Sequence, residues 1–330
     1  MKLFFKNFLL VFFSIFFLLI IIEVLLRVTG SKPRQIIDIS GNEDITNSPD
    51  SKLGWVPKKG IHKFKPWAKE GKETFLTINS DKSRFNGNKD KDFDKIIFIG
   101  GSITQGWAVS DNETFPYLLQ EKTLRHKIYN FGVGGYGGYQ SLLTLERVFK
   151  NKKNIKLVVY GFIPHHEVRN VASGSWLYLL NTVSERGLVS LPFGSINKKN
   201  KLIRHDPIIY LKLPLGDKLA LVAKIEKRLM KIMSSSRERK QTQISLAIIN
   251  EMKKLAVDNK SKFILLILDK FTDEREDKYK VFLDEKKVSY VECIMPQGKK
   301  YKVPGEGHPN EISHAEISEC VFEKLKLKDF

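Results

Sequence analysis

The chain is poor in cysteine, with only Cys293 and Cys320 in 330 residues. Two thiols cannot staple a disulfide scaffold, and their spacing fits no zinc pattern. They read as two buried thiols, with a single disulfide left open if the domain lies outside the cytoplasm. His165 and His166 are adjacent and point in different directions on most backbones, so a shared metal is not expected there. No metal and no organic cofactor is expected elsewhere. There is no internal repeat, and no recognition-helix, zinc-finger or RNA-recognition signature. Acid is also in short supply, with 37 Asp and Glu against 56 Lys and Arg, a net charge of +19. The lysines are scattered through loops such as Lys150–Lys153 and Lys198–Lys201. The basic surface therefore reads as solvated, and no nucleic-acid partner is expected. Attraction to anionic lipid or to an acidic polysaccharide is the sharper alternative. Long apolar runs are missing after the first 30 residues.

The one long run is Leu3 to Leu26, interrupted by Lys6, Asn7, Ser14 and Glu23. A helix needs about 20 apolar residues to cross the hydrocarbon core. Lys2 and Lys6 precede the run, as the positive-inside rule expects for a cytoplasmic N-terminus. No small-x-small cleavage site follows, so an uncleaved anchor is preferred to a signal peptide. The expected location is a cell inner membrane, crossed once, with the remaining domain periplasmic or extracellular.

Residues 31–53 are polar and read as a linker; residues 54–90 read as an irregular lead-in with a short strand at Thr74–Ile78. From there strands and helices alternate. Strands are expected at Lys95–Ile99, Lys127–Phe131, Ile155–Tyr160, Phe263–Leu268 and Val288–Cys293. Helices are expected at Thr114–Leu124, Tyr139–Phe149, Ile244–Val257, Asp273–Lys286 and Ile312–Leu325. Such alternation implies a parallel sheet covered on both faces. The fold class is thus α/β, a flavodoxin-like three-layer α/β/α domain with a five-stranded parallel sheet. The expected organisation is an anchor over 1–30, linker and lead-in over 31–90, and the main α/β domain over 91–330. Pro164, Pro192, Pro207 and Pro214 break the rhythm, and an inserted cap is expected at about 171–240. Its Trp176, Tyr178, Phe193 and Tyr210 are either stacking platforms for a ligand or a small hydrophobic core.

Active sites in such sheets lie at the carboxyl ends of the strands. Gly100-Gly101-Ser102-Ile103-Thr104 follows the first strand, where a sharp turn exposes a hydroxyl and a backbone N–H together. Asn130 to Gly138 is a glycine-rich loop whose residues 132–137 spell G-x-G-x-x-G. No acid ends the next strand to hold a ribose, so oxyanion support is preferred to dinucleotide binding. Gly161 to Asn170 follows the third strand. Pro304-Gly305-Glu306-Gly307-His308-Pro309-Asn310 precedes the last helix, and Glu306 stands two residues before His308.

Serine after the first strand and histidine before the last helix is the order of the SGNH/GDSL hydrolases, which this chain resembles. Gly100-Gly101-Ser102-Ile103-Thr104 is similar to the family's G-D-S-x-T block, with Gly101 for Asp. Asn130 to Gly135 resembles the block whose last glycine donates to the oxyanion. Glu306-Gly307-His308-Pro309-Asn310 is similar to the terminal D-x-H or D-x-x-H block, with Glu for Asp. Thr77-Ile78-Asn79 and Arg84 resemble an N-x-x-G-x-R lead-in of membrane-anchored members. The third block departs: G-x-N-D reads Gly161-Phe162-Ile163-Pro164-His165-His166. The resemblance implies a serine esterase, with Ser102 as nucleophile, His308 as base and Glu306 as acid. It implies an oxyanion site from Ser102 and Gly135, with Asn170 or His165 replacing the missing Asn. The implied substrate is an acylated carbohydrate or lipid, such as an O-acylated envelope polysaccharide, with its assembly machinery as partner. Two other readings stay open: an O-acyltransferase acting on envelope glycans, and a non-catalytic glycan-binding or scaffold protein.

Overall fold

A computed structural model describes residues 2–35, 46–65, 72–87, 93–123, 125–183 and 189–327. The middle of the expected linker (36–45), Pro66 and Trp67 of the lead-in, and Leu124 at an expected helix end lie outside the described residues. The chain opens with α1 (Lys2–Val28), which is long and apolar enough to cross a membrane. Two antiparallel hairpins follow, β1 (Asn47–Asp50) with β2 (Gly54–Pro57), and β3 (Gly60–Phe64) with β4 (Thr74–Ile78). The expected linker is thus structured at both described ends. Arg34 reaches the cap, where its N–H donates to the Gly216 carbonyl.

The main domain runs β5 (Asp94–Gly100), α2 (Ser102–Gln105), α3 (Phe115–Lys122), β6 (His126–Gly132), α4 (Gly138–Asn151), β7 (Ile155–Phe162) and α5 (His166–Asn170). After the cap it resumes with α8 (Gln241–Asp258), β10 (Lys262–Ile267), α9 (Arg275–Glu285), β11 (Ser289–Glu292) and α10 (Glu311–Lys324). The sheet order is β6-β5-β7-β10-β11, and every pairing is parallel. That is the doubly wound order in which the first strand sits inside the sheet and the direction of winding reverses beside it. The loops after β5 and β7 flank this reversal.

Alternation along β5 shows why both faces are covered. Ile97 and Ile99 enter one core with Leu142, Leu145, Ile248, Met252, Tyr279 and Leu283 of α4, α8 and α9. Ile96 and Phe98 enter the other with Phe115, Leu119, Ile317 and Val321 of α3 and α10. None of the four β5 residues is exposed, as period-two side chains in a two-faced sheet require. On the second face Cys293 and Cys320 are joined as a disulfide, so the reading as free thiols is corrected. The bond ties the end of β11 to α10.

The cap contains α6 (Gly174–Val183), the hairpin β8 (Leu191–Ile196)–β9 (Leu202–Ile208), and α7 (Ala220–Glu238). Its core joins Trp176, Leu177, Leu191, Phe193, Tyr210 and Met230 to Trp55 of the lead-in and to Val133 and Tyr136 of the glycine-rich loop. Trp176, Phe193 and Tyr210 are therefore buried, not stacking platforms. Tyr178 has Lys227 Nζ 4.1 Å from its ring centre.

Arg84 cements the lead-in to the serine loop. Only 1% exposed, it donates from Nε to Asp111, from Nη1 to the Gln105 and Gly106 carbonyls, and from Nη2 to the Phe75 and Val109 carbonyls. All five N–H groups are used, which is what burying a guanidinium requires.

Candidate active site

Ser102 begins α2, a single helical turn with Gly101 as its N-cap. A first-turn N–H has no partner within its helix. The turn is clamped from below, since Gln105 Oε1 accepts from Gly134 N–H and the Gln105 carbonyl accepts from Arg84. On the other rim, residues 302–310 fold back on themselves. Val303 N–H donates to the His308 carbonyl, and Asn310 caps α10 through Ser313 N–H. These two anchors bring residues 206 positions apart into contact. His308 Nε2 lies 2.8 Å from Ser102 Oγ.

His308 Nδ1 is bonded in turn to Glu306 Oε1, and Glu306 Oε2 accepts from His308 N–H at 2.9 Å. Nδ1 donates to the carboxylate, so Nε2 is the nitrogen free to accept the serine proton. The Glu306 side chain is 3% exposed. Burial pushes its carboxyl up, but the hydrogen bonds and charge of His308, with help from the Trp107 side chain, hold it below its ordinary value. It is an anion at neutral pH.

Gly135 sits at φ +81°, a conformation that favours glycine. Its neighbours' N–H groups are taken: Gly134 donates to Gln105 Oε1 and Tyr136 to the Val133 carbonyl. Among the described residues no acceptor takes the Gly135 or Ser102 N–H; Ser102 lines the cavity beside His308, and Gly135 packs against Trp55 and Trp176.

The two expected side-chain donors sit otherwise. Asn170 Oδ1 accepts from Tyr139 N–H at 2.9 Å and its Nδ2 donates to Ser245 Oγ at 2.8 Å. Each end of the amide thus has a partner, Tyr139 in α4 and Ser245 in α8, and Asn170 does not line the cavity beside Ser102. His165 packs edge-on against Trp176 with ring centres 5.5 Å apart and does not line the cavity beside Ser102.

Arg169, missed in the sequence, does line that cavity. It is 8% exposed, donates from Nη1 to the Tyr136 carbonyl at 2.9 Å, and stacks on Trp176 at 4.4 Å. Its Nε is buried without a partner, and among the described residues no carboxylate pairs with it. Burial lowers its pKa to about 10, so it stays charged at neutral pH. The signal for it was Gly101. A Cβ there would stand 2.8 Å from His166 Nε2, 3.0 Å from the Tyr136 carbonyl oxygen and 3.1 Å from Arg169 Nη1. The His166 and Arg169 side chains and the Tyr136 carbonyl thus fill the room that a larger residue at 101 would need. His166 is held in place by the Tyr160 hydroxyl, 2.8 Å from its Nδ1. Glu167, between them, is fully buried and accepts from Arg275, Tyr279 and Thr242.

The cavity holds about 300 Å³ and is lined by polar groups, Asp269, Gln297, Tyr301 and Lys302, opposite Ile103, Ile163 and Met295. No cluster of three or more metal-ligating side chains occurs among the described residues.

No family model matches the chain, and no curated protein matches it. Among solved structures it is similar to the crystal structure of TesA, with 12% identity, TM-score 0.43, and 70% of this chain and 98% of that one covered. It is also similar to a lipolytic protein of the G-D-S-L family from Veillonella parvula, with 12% identity, TM-score 0.39 and the same coverage. A psychrotrophic esterase, EstA from Pseudoalteromonas sp., shares 10% identity with TM-score 0.41, covering 71% and 97%. At such identities and scores the likeness decides nothing about chemistry, which rests on the site itself.

Proposed function

We propose that the chain is a serine ester hydrolase of the SGNH/GDSL type, held to a membrane by α1. The observation that carries this reading is the unbroken hydrogen-bond chain from Ser102 Oγ through His308 to Glu306.

In the proposed mechanism Ser102 Oγ attacks the ester carbonyl while His308 Nε2 takes its proton. Glu306 keeps Nδ1 protonated and stabilises the imidazolium. The oxyanion is met by the Ser102 and Gly135 N–H groups and by the Arg169 guanidinium, since Arg169 lines the same cavity as Ser102. A preorganised cation in a dry site is a strong oxyanion partner. Collapse releases the alcohol with the proton from His308. Water then repeats the sequence on the acyl-serine and frees the acid.

The cavity of about 300 Å³ sets Asp269, Gln297, Tyr301 and Lys302 beside Ile103, Ile163 and Met295, hydrogen-bonding groups that suit a hydroxyl-rich alcohol. We therefore read the substrate as an O-acylated carbohydrate, with an envelope polysaccharide as the natural source. The Cys293–Cys320 disulfide supports a catalytic domain outside the cytoplasm. The test is hydrolysis of a short-chain acyl ester by the full chain and by Ser102→Ala. Loss of turnover in the variant is expected, and unchanged turnover would overturn the assignment.

A further inference from the structure

The sequence of α7 carries a second amphipathic pattern. Ile225, Leu229, Ile232 and Met233 recur at i, i+4, i+7 and i+8, one helical stripe. All four are exposed, Ile232 and Met233 at 58% and 60%. The opposite stripe, Ala223, Met230 and Ser234, is buried in the cap. Lys224, Arg228 and Lys231 follow one edge of the apolar stripe. Between Ala220 and Ser236 the only acid, Glu226, is fully buried and paired with Arg34 at 3.1 Å. The exposed face of α7 is thus apolar with a purely basic border.

The start of α7 is fixed to α1. Glu23 accepts from the Ala220 and Leu221 N–H groups, both at 2.9 Å, and so caps a helix whose own N-cap, Leu219, has no side-chain acceptor. Arg27 Nη2 donates to the Lys218 carbonyl. Leu3 to Ile22 supplies 20 residues before Glu23, about 30 Å of helix and enough to cross the hydrocarbon core. Glu23 then marks the level of the headgroups, and the first turn of α7 stands at that level with it.

We propose that α7 lies on the membrane surface, with Ile225, Leu229, Ile232 and Met233 in the headgroup–acyl boundary and Lys224, Arg228 and Lys231 on anionic headgroups. The proposal rests on α1 spanning the bilayer. A second copy of the chain is a poor occupant, because pairing two such faces brings like charges together. At its far end α7 holds the Val171 and Ala172 carbonyls through Arg237, two and three residues past Arg169. A docked α7 therefore sets the height of the catalytic rim above the bilayer.

The test uses the full chain, disulfide intact, with an environment-sensitive fluorophore on Ile232→Cys, Phe12→Cys or Val281→Cys. Each protein is reconstituted in vesicles of phosphatidylcholine and phosphatidylglycerol, with and without brominated lipid. The Phe12 and Ile232 probes are expected to lose most of their emission to bromine, and the exposed Val281 probe none. The Ile232 probe is expected to be quenched less in phosphatidylcholine alone. A quenched Phe12 probe with an Ile232 probe that behaves like Val281 overturns the docking of α7 and leaves the anchor standing. An unquenched Phe12 probe overturns the anchor and the docking with it. A blue-shifted but unquenched Ile232 probe assigns the face to protein, and also overturns the proposal.

Discussion

Replacing Arg169 by Met separates catalysis from stability. Arg169 is 8% exposed, its guanidinium contacts Tyr136 and Trp176, and it has no acid partner among the described residues. Burying a charge without a counter-ion costs several kcal/mol, and apolar replacement of buried ionic groups is often neutral or stabilising by about 1–4 kcal/mol. Methionine keeps the packing on Trp176 and removes the charge. The expected folded state is unchanged or more stable, with Tm raised by about 2–4 °C per kcal/mol gained. If the guanidinium meets the oxyanion, its loss lowers kcat about 100–1000-fold, some 2.7–4 kcal/mol, with little change in KM. Arg169→Lys keeps the charge but not the planar fork, and recovers part of the loss. The assay is kcat and KM on a short-chain ester, with thermal unfolding of the same samples. A Met variant that keeps kcat within a few-fold, or whose activity falls only because it unfolds, would refute the role of Arg169.

Three further outcomes are expected. Gly101→Ala places a methyl against His166 Nε2 and the Tyr136 carbonyl and should cost about 1–3 kcal/mol by overpacking, read from denaturant unfolding. Arg84→Ala removes a donor from Asp111 and from four carbonyls and should cost about 3–5 kcal/mol, with activity lost as the Ser102 turn loosens. The Arg147 guanidinium, with burial working against it, holds the Asp50 carboxyl at about 2, below its ordinary 3.8. A depressed carboxylate stabilises above its unfolded pKa and loses that stabilisation as pH falls through the folded value. Stability should therefore drop between about pH 4 and 2 by on the order of 1 kcal/mol after solvent screening, and Asp50→Asn should flatten that slope.

The strands were legible because β5, β7 and β10 are short apolar runs closed by glycine or polar residues, and a buried parallel strand has no other way to look. The contact of Ser102 with His308 and of His308 with Glu306 was legible from their place at strand and helix boundaries. The cap was not. Its aromatics lie in a proline-broken stretch without a period, so nothing distinguished Trp176 and Phe193 in a core from the same residues on a surface. Helix α7 was hidden for a related reason: it turns apolar side chains outward, and the sequence read as irregular. Asn170 drew attention because amides serve oxyanions, yet its hydrogen bonds go to Tyr139 and Ser245, and neither contact is local in sequence. Arg169 announced itself only through a missing Cβ at Gly101, a relation that becomes physical once the loops after β5 and β7 are side by side. The disulfide likewise joins cysteines 27 residues apart that only the packing of α10 on β11 makes neighbours.

The central claim is that Ser102 is an activated nucleophile. Labelling the full chain with a fluorophosphonate, followed by mass spectrometry of the adduct, tests it directly. The account predicts one adduct, on Ser102, that disappears in Ser102→Ala and slows sharply in His308→Ala. An unlabelled protein, or an adduct on another residue, would contradict it.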